Sequence, residues 1–273
     1  MSSAGEGKAR IAECAPDPFR RFEYRLAETA EQRDEIYRLR YRAYLREGAV
    51  SPSESGRVTD EYDDAPNSWT FGVFRHGELY SSVRISVLTS DCRMSFSAEL
   101  FGDILHPRLD RGEIIVDPAR FVADPEKAGR FPELPYVTLR LAYAACEHFD
   151  ADLGLAIVRP EHQAFYRRVF MHETIAEPRL LRGLLKPVGL MAADFPAFRE
   201  KVFERFPYMR SSEVERRMLF RRGDTSLSAS PEGVSVFQRA AASRDAESRD
   251  AESRDAESRD PDDPAPRLVP AGG

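Results

Sequence analysis

Glu113-Ile114-Ile115-Val116-Asp117-Pro118-Ala119-Arg120-Phe121 is the stretch whose reading decides the fold. Ile114, Ile115, Val116 and Phe121 are strand formers, so the segment predicts a central strand. Pro118 cannot donate to a sheet ladder, so the strand must lie at an edge or carry a bulge. Bulges gather beside active sites because they open the ladder and re-aim side chains. Asp117 and Arg120 flank the break and are the candidates for a chemical centre. They read equally well as a structural ion pair on a strand that bends.

Upstream, residues 22–27 alternate apolar and charged side chains and predict a first strand. Thr29 is placed to cap a helix running from Glu31 to Glu47 and ending at Gly48. Arg38, Arg42 and Arg46 form one solvated stripe of that helix. Arg40 falls between Ile36 and Tyr44 on the apolar side, where it needs an anionic partner or must snorkel to the edge. A loop over residues 51–68 contains Asp60-Glu61-Tyr62-Asp63-Asp64. Four acids in five residues are expected as a solvated surface run. They lack the spacing of an EF-hand, and the alternative is pairing with Arg40 and Arg84. Strands at 69–75 and 78–87 form a hairpin about His76-Gly77, with Arg84 on its polar face, which faces solvent in an ordinary antiparallel sheet.

Downstream, Ser97–Leu105 predicts a short helix and residues 124–135 a loop. Residues 136–149 form a strongly apolar helix with Cys146 in the core. A short buried strand follows at 153–158, then a helix at 161–170 opened by Pro160. Two strands at 173–177 and 187–192 and a helix at 196–206 complete the pattern. After Arg222 the composition changes. Ser-Arg-Asp-Ala-Glu repeats three times from Ser243, with almost nothing to bury, so residues 223–273 are expected to be a disordered low-complexity tail. Residues 1–20 are expected to be a flexible N-terminus.

The net charge of −6 sits mainly in that tail, where eleven acids face six arginines. No concentrated basic face appears, which argues against nucleic acid as the partner. Three dispersed cysteines, with no CxxC pair, fit a reducing compartment and neither a disulfide framework nor a zinc site. No apolar leader and no membrane-length apolar run is visible, so the expected location is the cytoplasm.

The element order, an α+β pattern with a mixed, mostly antiparallel twisted sheet flanked by helices, resembles the GNAT acyltransferase fold over about residues 22–195. Two features sharpen the likeness. Ala164-Phe165-Tyr166-Arg167-Arg168, entered from Val158-Arg159-Pro160, is similar to the fourth helix of GNAT proteins. The set Arg40-x3-Tyr44, Asp60-x2-Asp63, Arg84 and Asp117-x2-Arg120-Phe121 resembles the signature of acyl-homoserine lactone (autoinducer) synthases and the related N-acyl amino acid synthases. Asp117 stands where that family usually carries glutamate, and Val58 where it carries a further acid. The early tryptophan of the autoinducer synthases is missing. These departures favour the N-acyl amino acid branch. The loop Ala123-Asp124-Pro125-Glu126-Lys127-Ala128-Gly129-Arg130 has one glycine and two acids, unlike the pyrophosphate cradle of acetyl-CoA GNATs.

The resemblance implies residues 21–222 as an acyltransferase domain. It would move a fatty acyl group from acyl carrier protein, or acyl-CoA, to the amine of an amino acid or a similar small acceptor. It implies an acyl-phosphopantetheine co-substrate, no tightly bound cofactor and no metal. Asp117, or Asp60 and Asp63 through water, would take the amine's proton where desolvation raises the pKa. Tyr166 would protonate the leaving thiolate, unless it is simply a packed core tyrosine. Arg40, Asp63, Arg84, Arg120 and Phe121 would bind substrate, with Arg84 and Arg120 suited to a carboxylate or equally to holding the acidic loop in place. Arg159, Arg167 and Arg168 would dock the acidic carrier protein. A CoA-dependent N-acetyltransferase and a non-catalytic ligand-binding module of the same fold remain the alternatives.

Overall fold

The computed structural model describes residues 21–180 and 185–221. The expectations for residues 1–20 and 223–273 lie outside them. The chain begins with strand β1 (Glu23–Leu26) and helix α1 (Ala30–Arg46). A capping box starts α1: Thr29 Oγ1 accepts from the Gln32 amide, and Gln32 Oε1 accepts from the Thr29 amide. Ile36, Leu39 and Ala43 bury one face of α1 against Phe74, Leu79 and Val122 of the sheet. A fully buried Leu or Ile contributes about 1.5–3 kcal/mol, so this seam holds α1 firmly.

After a 3₁₀ turn (Glu61–Asp63) come β2 (Ser68–Arg75) and β3 (Glu78–Leu88), joined through His76 and Gly77, both at positive φ. Then follow α2 (Phe96–Leu100), α3 (Gly102–Asp110), β4 (Ile115–Ala123), α4 (Leu134–His148) and β5 (Leu153–Val158). The chain continues through α5 (Gln163–Phe170), β6 (Glu173–Arg179), β7 (Val188–Asp194), α6 (Phe195–Arg205) and α7 (Glu213–Phe220). The seven strands form one sheet in the order β1-β2-β3-β4-β5-β7-β6. Every neighbouring pair is antiparallel except β4 and β5, which run parallel.

Helices cover both faces. On one, α2 and α3 bring Phe101, Leu105 and Leu109 onto Ile115, Leu155 and Leu190. On the other, Tyr143 of α4 meets Phe170, Phe195 and Phe203 at ring-centroid distances of 5.3, 5.6 and 6.0 Å. Trp69 packs on Phe149 and on Phe220 of α7. No helix of the described residues is long and apolar enough to cross a membrane.

Several local expectations are corrected. The single helix expected at 97–105 is two, parted at Phe101, whose backbone leaves the helical region. The break in β4 lies at Arg120 and Phe121, beyond Pro118. The β3 register passes from Arg84↔Ala119 to Ser82↔Val122, leaving both residues opposite Val83, and Arg120 takes a positive φ of 54°. Pro118 keeps its place opposite Ile85. The acidic run is not uniformly solvated. Asp63 is buried and Asp60 half-buried, while Glu61 and Asp64 face out. The β3 face holding Ser82, Arg84 and Ser86 is buried under the loop and α2 instead of facing solvent. Helix α7 has no counterpart in the sequence reading. Its signal was Ser212-x-x-Glu215, where Ser212 Oγ caps the Glu215 amide at 3.1 Å.

Candidate active site

The sheet is split at its centre. Strands β4 and β5 share two register pairs, Ile115↔Leu153 and Val116↔Gly154, and then part. The gap opens a cavity of about 770 Å³ whose wall includes Pro118 to Ala123 of β4, Ala156 to Val158 of β5, Leu139 of α4 and Tyr166 of α5. Pro118, just past the last pair, lies where β4 has no partner on that side. A smaller apolar chamber of about 30 Å³ shares Pro118, Leu139 and Tyr166 with it and reaches Cys146 and Gly154.

Beside the bulge lies a buried charge network. Arg40 Nη1 donates to Asp63 Oδ1 and Oδ2 at 2.7 and 2.9 Å. Arg84 Nη1 donates to Asp63 Oδ1 at 3.1 Å and also to Asp60. Arg120 donates from Nε and Nη2 to Asp60 Oδ2 at 2.9 and 2.6 Å. The two acids are held by their own 3₁₀ turn: Asp60 Oδ1 accepts from the Tyr62 amide, and Asp63 Oδ2 from the Asp60 amide. The side chains of Arg40 and Arg84 are wholly buried. Tyr37 and Tyr62 rings lie 5.4 and 5.6 Å from their guanidinium carbons. Arg120 lies between Phe96 and Tyr44, at 5.1 and 5.8 Å from the ring centroids.

The electrostatics follow from this packing. Burial alone would raise the Asp60 carboxyl, but Arg120 and Arg84 outweigh it and hold the group below its usual range. Burial lowers Arg40, against the opposing pull of Asp63. Asp117 stands opposite Ser86, fully buried. Its Oδ1 accepts from Ser97 Oγ at 2.8 Å, and burial pushes its carboxyl up. Burial also raises the Tyr166 hydroxyl, so the phenol stays protonated at neutral pH.

The structure thus brings Arg40, Asp60, Asp63, Arg84 and Arg120 into one cluster, as the sequence signature implied. Only Arg120, Phe121, Tyr166 and Arg159 of the candidate residues line the cavity. Asp117 lies beneath the bulge, on the α2 side, and does not line it. Arg159 is part of the cavity mouth, apart from Arg167 and Arg168, which are exposed on α5. Lys186, read from the sequence as part of the basic docking surface, lines the mouth too, and so do Glu47 and His162, which escaped the sequence reading. They come from distant parts of the chain, and no local spacing announces them. Among the described residues no cluster of His, Cys, Asp and Glu could hold a metal ion.

A model of the N-acyl amino acid synthase FeeM family matches residues 35–194, more than half of the chain. The chain belongs to the FeeM family. It is an N-acyltransferase with a GNAT-like fold. No curated protein sequence matches it significantly. The structure of FeeM, an N-acyl amino acid synthase from uncultured soil microbes, has a TM-score of 0.56 and 18% identity, covering 65% of this chain and 98% of that one. BjaI, a CoA-dependent acyl-homoserine lactone synthase solved with SAM and isopentyl-CoA, has a TM-score of 0.48 and 14% identity, covering 67% and 88%. An acyl-CoA N-acyltransferase from Pseudomonas aeruginosa has a TM-score of 0.43 and 16% identity, covering 63% and 97%. Membership in an enzyme family sets aside the reading as a non-catalytic module.

Proposed function

We propose that the chain transfers a fatty acyl group from acyl carrier protein to the amine of an amino acid, with residues 21–222 as the catalytic domain. The observation that carries this reading is the cavity at the β4–β5 parting. It is mostly apolar, is of ligand size and has a charged mouth, so a thioester arm and its chain can enter between two strands. The family membership supports the reaction class.

The thioester carbonyl would lie at the bulge, where Arg120 and Phe121 leave the regular ladder and their backbone N–H groups can face a developing oxyanion. The amine nitrogen attacks the carbonyl carbon, the C–N bond forms and the C–S bond breaks. Glu47 is the one carboxylate among the described residues that lines the cavity, and it takes the ammonium proton. Tyr166 donates a hydrogen bond to the departing sulfur. Its raised pKa keeps the proton on the phenol, so it stabilises the thiolate, which is then protonated from solvent. The Arg40–Asp63–Arg84–Asp60–Arg120 network holds the bulged strand and the acidic turn in place. Asp117 supports α2 from below through Ser97, and α2 sets Phe96 against Arg120.

Two features favour carrier protein over CoA. The loop after β4 has its amides engaged internally: Lys127 and Ala128 donate to the Asp124 carbonyl, Glu126 to Asp124 Oδ1, and Arg130 to the Lys127 carbonyl. Few remain to cradle a pyrophosphate. Exposed Arg167 and Arg168 suit an acidic partner. Carrier protein as the partner and the sparse cysteines point to the cytoplasm.

The test is to incubate the full chain with long-chain acyl carrier protein, acyl-CoA or acetyl-CoA and a pool of amino acids, and to identify N-acyl products by mass spectrometry. Long-chain products formed at least tenfold faster from carrier protein are expected. Acetylated products alone would establish the acetyltransferase alternative instead.

A further inference from the structure

The bulge arginines were expected to bind the acceptor's carboxylate or only to hold the acidic loop, and of the two only Arg120 lines the cavity. Arg84 is wholly buried on Asp60 and Asp63, and Arg120 directs two nitrogens at Asp60. A different set stands at the cavity mouth. Arg159, just after β5, donates from Nη2 to Glu47 Oε2 at 2.6 Å and to His162 Nε2 at 2.8 Å. Its Nη1 lies 3.2 Å from Glu161 Oε1. A guanidinium only donates, so His162 Nε2 must accept and the imidazole proton sits on Nδ1. Lys186 Nζ donates to the Glu47 carbonyl at 2.6 Å and keeps further N–H groups. Arg159, Lys186 and His162 thus converge at one end of α1, and all three line the cavity.

We infer that Arg159 and Lys186, with His162 Nδ1–H beside them, bind the carboxylate of an α-amino acid acceptor. This deepens the acyl-transfer reading and rests on it. Arg159 is only 16% exposed, so its charge is poorly screened, while Glu47 and Glu161 are 53% and 55% exposed. Glu161, so exposed on Nη1, is a weakly held partner and can swing aside for a ligand carboxylate, while Glu47 stays on Nη2. The reach fits. His162 and Tyr166 are one helical turn apart, about 6 Å along the axis. In an α-amino acid the carboxyl carbon lies about 2.5 Å from the amine nitrogen. An amine attacking beside Tyr166 therefore places its carboxylate within reach of the mouth. Glu47, on the same guanidinium, faces the ammonium. The pair complements a zwitterion and selects against amines without an adjacent acid.

The experiment uses the full chain, saturating acyl carrier protein, an accepted amino acid and the same compound as its carboxamide. The unaltered enzyme should prefer the acid at least tenfold in kcat/KM. Arg159→Met should raise KM for the acid at least tenfold, change kcat little, and remove the preference. Arg159→Lys should recover part of it, and Lys186→Met, on a separate segment, should show the same selective loss. Equal losses for both acceptors, or a preference that survives both variants, would overturn the assignment. Enzyme that acylates both acceptors equally sinks this inference alone. Enzyme that acylates no amine from any thioester sinks the acyl-transfer reading and this inference with it.

Discussion

Two clusters of arginine and carboxylate lie a short way apart in this molecule, and they differ in burial. In the first, Arg40 and Arg84 are wholly buried on Asp63 and Asp60. In the second, Arg159 and Lys186 meet Glu47 at the mouth of a cavity, with the acid half in solvent. Both pair cations with carboxylates at similar distances. Neither Arg40 nor Arg84 lines the cavity, and each ties its own element to the acidic turn. The mouth set keeps free donors and a loosely held acid, which are what a ligand site requires. An arginine's role here follows from what its remaining N–H groups face, more than from its presence in a motif.

The largest expected effect comes from breaking the buried set. Arg84→Ala leaves Asp63 and Asp60 short of a buried partner and should cost about 3–5 kcal/mol in chemical denaturation. A loss below about 1 kcal/mol would mean the network is not the clamp described. Arg159→Ala, whose acid partners stand half in solvent, should cost less than about 1 kcal/mol.

A second test concerns another buried group. His172 is 7% exposed, and burial lowers its pKa from 6.5 to about 4. A depressed folded pKa gives stability that is present above the unfolded value and lost as pH falls through the folded one. Between pH 6.5 and about 4 the native protein should lose roughly 3 kcal/mol through this group. His172→Leu should flatten the denaturation profile in that window. The sign is opposite for Asp117, whose folded pKa is raised. Its contribution is present at low pH and lost as pH rises through the folded value. Asp117→Asn keeps an acceptor for Ser97 and should make the protein relatively more stable at neutral pH than at pH 4. An unchanged profile would show that the carboxyl is not desolvated.

At the cavity, Tyr166→Phe should lower kcat about 30-fold, near 2 kcal/mol, with stability little changed. An effect on KM alone would place Tyr166 in substrate binding instead of thiolate stabilisation. The smallest effect is at the outer surface. Reversing Arg167 and Arg168 to glutamate should raise the carrier-protein KM about tenfold, more so at low salt. No change in KM would remove them from the docking surface.

Much of this was legible along the chain. The alternation in β1 and β3, the Thr29–Gln32 cap and the apolar run of α4 each encode their element locally. Arg40 announced a buried anion by lying on the apolar side of α1, and Asp63 is that anion. The family resemblance grouped Asp60, Asp63, Arg84 and Arg120 as one polar set, and the four side chains meet in one network. Other features were not legible. Pro118 suggested the break, yet the bulge lies two residues on, because register is settled by pairing with β3 and not by one missing donor. Asp117 read as a candidate base beside the break, and its side chain turns to Ser97 and does not line the cavity. Whether a strand residue faces a cavity or a covering helix depends on what packs over the sheet.

What the sequence determined by itself is therefore periodic or adjacent: the element order, the apolar faces, the caps and a family-like polar signature. These depend on contacts within a few residues or on one repeating face. Only the tertiary structure decided that β4 and β5 part after two pairs, and that Glu47, 112 residues from Arg159 and 139 from Lys186, completes the mouth. Such contacts arise from the packing of whole elements, and nothing in the local spacing of the chain specifies them.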